Sequence, residues 1–103
     1  MAPGISVVIP VYNEVDAVAP LLRELGQVLD GLELASEIVA VDDGSTDGSF
    51  ERLAALRAGE PRLRVVRLAR NYGQTAALAA GIEYARAPVI VTMDADMQND
   101  PHD

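Results

Sequence analysis

Apolar positions along this chain fall into two patterns that take turns. Short runs rich in β-branched residues alternate with stretches whose apolar residues recur every three or four positions, which predicts strands and helices in the order of a parallel sheet. Residues 5–9 form the first such run, ended by Pro10, and Val15, Val18, Leu22, Leu25 and Leu29 then follow at helical spacing. Residues 37–41 form the second run; a turn-forming cluster over 42–49 leads into a helix carrying Phe50, Leu53 and Leu56. The third run, 63–69, is interrupted by Arg64 and Arg67, which suits the edge of a sheet better than a strand covered on both faces. An alanine-rich helix is predicted over 74–85, where Gly81 counts against helix formation, and Pro88 opens a fourth strand over 89–93. Residues 94–103 are polar.

Right-handed crossovers between these elements give an α/β, Rossmann-like three-layer sandwich with strand order 3-2-1-4. The order reverses between strands one and four. Ligands in such sheets bind beyond the carboxyl ends of the strands at the reversal, so the segments after Ile9 and after Met93 are expected to face one crevice. With 103 residues, no internal repeat and no linker, residues 1–103 are expected to make one domain.

Charge narrows the partners. Sixteen acidic residues against eight arginines, with no lysine, give a net charge of -8. That excludes a nucleic-acid backbone as partner, since phosphate neutralisation depends on Lys and Arg. A phosphorylated small molecule would need a divalent cation between itself and the carboxylates. Cysteine is absent, which removes disulfides, thiolate metal sites and thiol nucleophiles and agrees with a reducing, cytoplasmic compartment. His102, the one histidine, cannot build a histidine metal cluster. No apolar run approaches the roughly 20 residues that span a bilayer, and Met1 to Gly4 does not begin a leader, so the chain is expected to be soluble and untargeted.

Four segments carry candidate chemistry, and each has a plainer reading beside the functional one. Asp94-Ala95-Asp96-Met97-Gln98 follows the fourth strand. Its alternate oxygen-bearing side chains can point one way from an extended chain and offer hard ligands to magnesium or manganese; otherwise they solvate a loop. In Val41-Asp42-Asp43-Gly44-Ser45-Thr46-Asp47, one of Ser45, Thr46 and Asp47 is expected to cap the second helix. Capping does not require both Asp42 and Asp43, so Asp43 is open to reading a base N–H or a ribose hydroxyl. In Pro10-Val11-Tyr12-Asn13-Glu14, Asn13 suits an N-cap and Glu14 the first helical turn, while Tyr12 can lie against a flat base. Arg70-Asn71-Tyr72-Gly73-Gln74 reads as a capped tight turn, with Arg70 within reach of a phosphate or sugar. The first strand-to-helix turn has no glycine, which excludes a G-x-G-x-x-G dinucleotide site, and a chain without lysine has no P-loop.

In order and spacing these four segments resemble the family 2 glycosyltransferases of the GT-A fold, over nearly the whole chain. The likeness is greatest to the branch that moves a sugar from a nucleoside diphosphate to a polyprenyl phosphate in cell-wall or glycolipid synthesis, such as dolichyl-phosphate mannosyltransferases and bactoprenol glucosyltransferases. Asp94 to Pro101 is the most branch-specific piece. The resemblance implies that Pro10, Tyr12 and Glu14 lie against the nucleoside of a UDP- or GDP-sugar, that Val41 and Asp43 read base and ribose, and that Asp94 and Ala95 sit by the ribose and diphosphate. It makes Asp94 and Asp96 the catalytic carboxylates, gives Asp96 and Gln98 the magnesium or manganese ion, and implies inversion at the sugar carbon. It further implies a lipid-phosphate acceptor, met at the cytoplasmic face of a membrane.

In that family the acceptor loops and further strands follow the metal motif, so this chain corresponds to the N-terminal half of a GT-A domain and is expected to be inactive alone. A bare, apolar outer edge on strand four is expected to pair with a second copy of the chain. Two other classes stand as alternatives: a catalytically inactive module that binds a nucleotide sugar or a partner, and a phosphoryl-transfer α/β domain. The latter class wants a lysine or an Asp-x-Asp after its first strand, and neither is found here.

Overall fold

The computed structural model describes residues 2–95; Met1 and residues 96–103 lie outside the described part. In chain order the elements are β1 (Ile5–Val11), α1 (Val18–Asp30), β2 (Ser36–Asp42), α2 (Ser49–Leu56) with a single 3-10 turn at Arg57–Gly59, β3 (Leu63–Arg67), α3 (Gln74–Tyr84) and β4 (Val89–Thr92). All pairings are parallel and the strand order is β3-β2-β1-β4. The predicted order and the edge position of the third strand are both borne out.

Alternation along the central strands sorts side chains into two cores. Val7, Ile9 and Val11 of β1 and Ile38 and Ala40 of β2 pack under the apolar stripe of α1, Val18, Leu21, Leu22, Leu25 and Leu29, and under Leu53 of α2. Val8 of β1 and Val39 and Val41 of β2 point the other way and meet Ala77 of α3. The sheet is thus the middle of three layers.

α3 reaches the sheet through Gly81. A Cβ on this residue would overlap Val8 Cγ1 and lie 3.0 Å from Val41 Cγ2. What reads in sequence as a weak point in a helix is the contact where the helix backbone lies nearest the strands.

Pro10 does not end β1. The strand runs on to Val11, with Pro10 opposite Val41. The carbonyl of Val8 accepts from the Met93 amide, so even-numbered β1 residues turn their backbone groups toward β4, whereas Val11 turns to β2 and accepts from the Asp43 amide. Pairing between β1 and β4 stops at Val8 and Thr92. The missing N–H of Pro10 therefore points where no strand partner stands. The same parity turns the backbone groups of Ile90 and Thr92 away from β1, along an edge whose side chains Val89, Ile90 and Val91 are 53%, 38% and 41% exposed.

The ends of the sheet opposite the crevice are tied by Glu37, a residue buried at the start of β2. Its Oε2 accepts from Ser6 Oγ at 2.6 Å and from the Arg86 amide at 2.7 Å; its Oε1 accepts from Arg64 Nη1 at 2.7 Å and from Arg86 Nε at 3.1 Å. Ser6 Oγ accepts in turn from the Ala87 amide at 3.2 Å. Burial pushes this carboxyl up, but the hydrogen bonds from Ser6, Arg64 and Arg86 outweigh it and bring the pKa down from 4.5 to about 2. One carboxylate thereby joins β1, β2, β3 and the segment entering β4. Arg64, which interrupts the apolar run of the third strand, has its partner here.

Candidate functional site

Where the strand order reverses, the carboxyl ends of β1, β2 and β4 surround a crevice of about 280 Å³. Pro10, Tyr12 and Glu14 come to it from β1 and the turn after it, Asp43 from the end of β2, and Asp94 and Ala95 from the end of β4. Six of the predicted site residues are thus brought together. Val41 is not at this surface: its side chain is fully buried beneath α3. Asp96 and Gln98 lie outside the described residues.

The crevice floor is built on a clamp. Asp43 is 2% exposed, and its Oδ2 accepts from Asn71 Nδ2 and from the Gly73 amide, each at 2.9 Å, while Oδ1 accepts from the Tyr72 amide at 2.8 Å. Asn71 Nδ2 also donates to the Asp43 carbonyl at 3.1 Å. The two loops touch closely enough that a Cβ on Gly44, whose φ is +75°, would overlap the backbone of Arg70 and Asn71. Asp43 is both a loop anchor and a crevice residue.

Asn71, Gly73 and Gln74 also line the crevice, although their segment reads in sequence mainly as a turn. The signal for them is the carboxylate of Asp43, which sits too deep to be satisfied by water and needs donors from a distant loop. Gln74 opens α3 and donates through Nε2 to Asp94 Oδ1 at 3.0 Å. Arg70 stands over the Tyr72 ring, 5.1 Å from its centre, and Tyr12 is 46% exposed.

The turn after β1 is fastened to the turn after β2. Asn13, at φ 53°, donates its amide to Ser45 Oγ and accepts from the Thr46 amide at Oδ1, both at 2.9 Å. The Glu14 amide donates to Ser49 Oγ at 2.9 Å and the Val15 amide to Asp47 Oδ2 at 3.1 Å. Asn13 is therefore no N-cap: α1 begins at Val18 behind Ala17 and has no side-chain cap. Gly48, at φ 97°, takes the N-cap position of α2, and Asp47 just before it accepts from the Ser49 amide at 3.0 Å. Burial pushes the Asp47 carboxyl up, but its bonds from Ser49 and the Val15 amide hold it below its ordinary value.

Asp42 is fully buried on the α1 side of the sheet. Its Oδ2 accepts from the Ser45 amide at 3.2 Å, and its Oδ1 has no partner among the described residues.

Glu14, Asp43 and Asp94 give the crevice an acidic lining. Hard oxygen donors of this type suit magnesium or manganese, and a diphosphate placed among them needs such a cation. Among the described residues no group of three or more acidic, histidine or cysteine side chains is placed to hold one.

Comparison with known proteins places this arrangement. Over 100 residues the chain is 43% identical to the dodecaprenyl-phosphate galacturonate synthase of Rhizobium johnstonii, covering 96% of this chain and 30% of that protein. It is 50% identical over 101 residues to the undecaprenyl-phosphate 4-deoxy-4-formamido-L-arabinose transferase of Pseudomonas aeruginosa, again 96% of this chain and 30% of the relative. The chain thus spans about 30% of the length of these curated relatives. Among solved structures it resembles a mannosyltransferase from Pyrobaculum calidifontis in complex with GDP-Man and Mn2+, with TM-score 0.73, 28% identity, and 93% of this chain and 28% of that one covered. It also resembles S. aureus TarS 1-349 in complex with UDP-GlcNAc, with TM-score 0.76, 26% identity, and 89% and 26% covered. Residues 6–103 match glycosyl transferase family 2. A parallel 3-2-1-4 sheet with its crevice at the strand reversal, and a family match running almost from end to end, together mean that the chain belongs to glycosyl transferase family 2 and has the Rossmann-like α/β architecture of GT-A glycosyltransferases.

Proposed function

We propose that residues 1–103 form one nucleotide-sugar-binding domain of an inverting glycosyltransferase that passes a sugar from a nucleoside diphosphate to a polyprenyl phosphate. The observation that carries this reading is the convergence of Pro10, Tyr12, Glu14, Asp43 and Asp94 on one crevice at the strand reversal. The names of the relatives, which specify dodecaprenyl and undecaprenyl phosphate, support the acceptor class. Family membership disfavours the phosphoryl-transfer alternative.

In this reading Tyr12 lies against the base, Pro10 and Glu14 border the nucleoside, and Asp43 contacts base or ribose. Val41 acts from beneath, fixing the end of β2. Asp94, oriented by Gln74, and Ala95 face the ribose and diphosphate, with Asp94 and Asp96 as the catalytic carboxylates. Asp96 and Gln98 would hold magnesium or manganese, which supplies charge neutralisation for the departing diphosphate. Among the described residues no helix is long and apolar enough to cross a membrane, and we place the reaction at the cytoplasmic face of one because the acceptor is a lipid.

Calorimetric titration with UDP- and GDP-sugars, with and without Mn2+, tests the reading. Binding of at least one nucleotide sugar that needs Mn2+, and that weakens about 10-fold or more in Asp96→Ala, is expected from loss of a metal ligand. Binding unaffected by either change refutes the metal assignment; turnover of acetyl phosphate would return the phosphoryl-transfer class.

The outer edge of β4 supports self-association through a second copy of this chain. Ile90 and Thr92 each turn an N–H and C=O outward that have no strand partner among the described residues, so a twofold axis at Val91 pairs Ile90 of one copy with Thr92 of the other in antiparallel fashion. Sedimentation velocity at rising concentration is expected to show a dimer that Thr92→Pro, which removes an outward N–H, abolishes. A monomer throughout the series removes this proposal.

A further inference from the structure

We propose that the face of the sheet away from α3 carries an anion site, a groove between α1 and α2 in which Arg23 and Arg52 hold the doubly charged phosphate of a monoester. The groove shares no lining residue with the crevice, so this site stands whether or not the nucleotide-sugar reading does.

With sixteen acidic residues to eight arginines, carboxylate partners are plentiful. Six of the arginines have a partner. Arg57 donates to the Leu63 carbonyl, Arg62 bonds Asp30 and Glu60, Arg64 and Arg86 bond Glu37, and Arg67 and Arg70 lie over the rings of Phe50 and Tyr72. Arg23 and Arg52 have none among the described residues, and the two meet at one place. Adjoining depressions of about 380 and 500 Å³ between α1 and α2 both take Ala19, Arg23 and Arg52 into their walls. The helices themselves supply no counter-charge. Three and four positions from Arg23 stand Ala19, Pro20, Gly26 and Gln27, and from Arg52 Gly48, Ser49, Ala55 and Leu56, so no carboxylate is spaced to pair along either helix. Glu24 and Glu51 are immediate sequence neighbours and project to other sides of their helices.

The acids that line the groove are outnumbered or already committed. Asp30 and Glu60 belong to one depression, but Arg62 bonds both. Asp16, in the other, is a single carboxylate against two guanidiniums. The buried Leu22 and the half-buried Leu56 add apolar surface, which lowers the local dielectric and strengthens charge-assisted bonds made beside it. Each guanidinium carries five N–H donors in a planar fork and keeps its charge throughout the working pH range. A monoanion is satisfied by one such fork. A phosphate monoester, with close to two charges and three acceptor oxygens, engages two at once. The net charge of -8 repels anions at long range, so the attraction is local. It should persist at moderate salt, where charges more than about 10 Å away are screened and groups in contact are not.

Two probes test the site and tell its possible sources apart, both at about 0.1 M salt and with EDTA present, so that no divalent cation recruits phosphate to the crevice. The first is inorganic phosphate at about pH 8, where it is doubly charged, followed through the arginine Nε–H signals in NMR. The second is co-sedimentation with vesicles of phosphatidylcholine containing phosphatidic acid, against vesicles of phosphatidylcholine alone. Binding of phosphate but not of the vesicles assigns the site to a free phosphate compound; selective binding of the phosphatidic acid vesicles without a response to phosphate assigns it to a lipid headgroup. In either case Arg23→Gln/Arg52→Gln is expected to weaken binding about 10-fold or more, and Arg67→Gln, which removes charge outside the groove, to change it less than about 2-fold. Acetate, a monoanion, should shift the same signals about 10-fold more weakly than phosphate. The proposal is overturned if neither probe binds, with phosphate taken to about 20 mM, if acetate matches phosphate, or if the double variant binds as the unmodified chain does. Neither side chain bonds anything in the described fold, so the double variant should keep its circular dichroism. If it does not, Arg23→Lys/Arg52→Lys, which keeps the charge and loses the forks, takes its place with the same direction of change expected.

Discussion

Glu37→Ala is expected to lower the stability of the folded chain by about 3 kcal/mol at neutral pH, in equilibrium urea unfolding followed by circular dichroism. The figure follows from the pKa, held at about 2 against an ordinary 4.5, because such a depression is the preference of the fold for the charged carboxylate. The sign is fixed by the direction of the shift. A carboxyl whose folded pKa is depressed contributes its full stabilisation above pH 4.5 and loses it as pH falls toward about 2. Unfolding midpoints of the unmodified chain should therefore drop across that window, and those of Glu37→Ala should drop less. Equal slopes in the two proteins would show that other carboxylates govern the acid transition. Ser6 has the most to lose in the variant, since it is fully buried and its hydroxyl donates to Glu37.

Gly81→Ala should be nearly as damaging, against the usual direction of that change. In an exposed helix alanine is favoured over glycine by about 1 kcal/mol. Here the added methyl overlaps Val8 Cγ1, and Val8 is fully buried in the central strand with nowhere to move. An overlap this close with a buried strand residue belongs at the upper end of overpacking costs, about 3 kcal/mol, and should exceed the helical gain, leaving a net loss of about 2 kcal/mol by denaturant titration. Pairing it with Val8→Ala provides the control: removing the Cγ1 methyl that Gly81→Ala strikes should make the double variant more stable than the sum of the single effects. Strict additivity would mean that α3 is held off the sheet by something other than this contact.

Strand order and the crevice were legible in the sequence because both follow from periodicity and handedness. Arginines at 64 and 67 marked the edge strand, and carboxylates directly after apolar runs marked the strand ends that converge. Contacts between segments far apart in the chain were not legible. Glu37 reads locally as the start of an apolar run, and nothing near it announces that Ser6, Arg64 and Arg86 supply its donors. Asn13 has the composition of an N-cap, but its partners are Ser45 and Thr46, and the helix it would cap starts later, at Val18. Pro10 looks like a strand terminator because sequence does not show which neighbour its absent N–H would have faced. Asn71 and Gln74 belong to the crevice through bonds to Asp43 and Asp94, which local turn chemistry cannot reveal.

The fastening of residues 13–15 to residues 45–49 has a consequence for how a ligand is received. Four cross-turn bonds make these two turns one stiff wall. The facing side chain, Asp94, is steadied by one exposed bond from Gln74. Under the proposed function, an incoming nucleotide would meet its nucleoside end on a surface already shaped for it, with the entropy lost on docking concentrated at the diphosphate end. Association should then proceed base first, with the phosphates settling last.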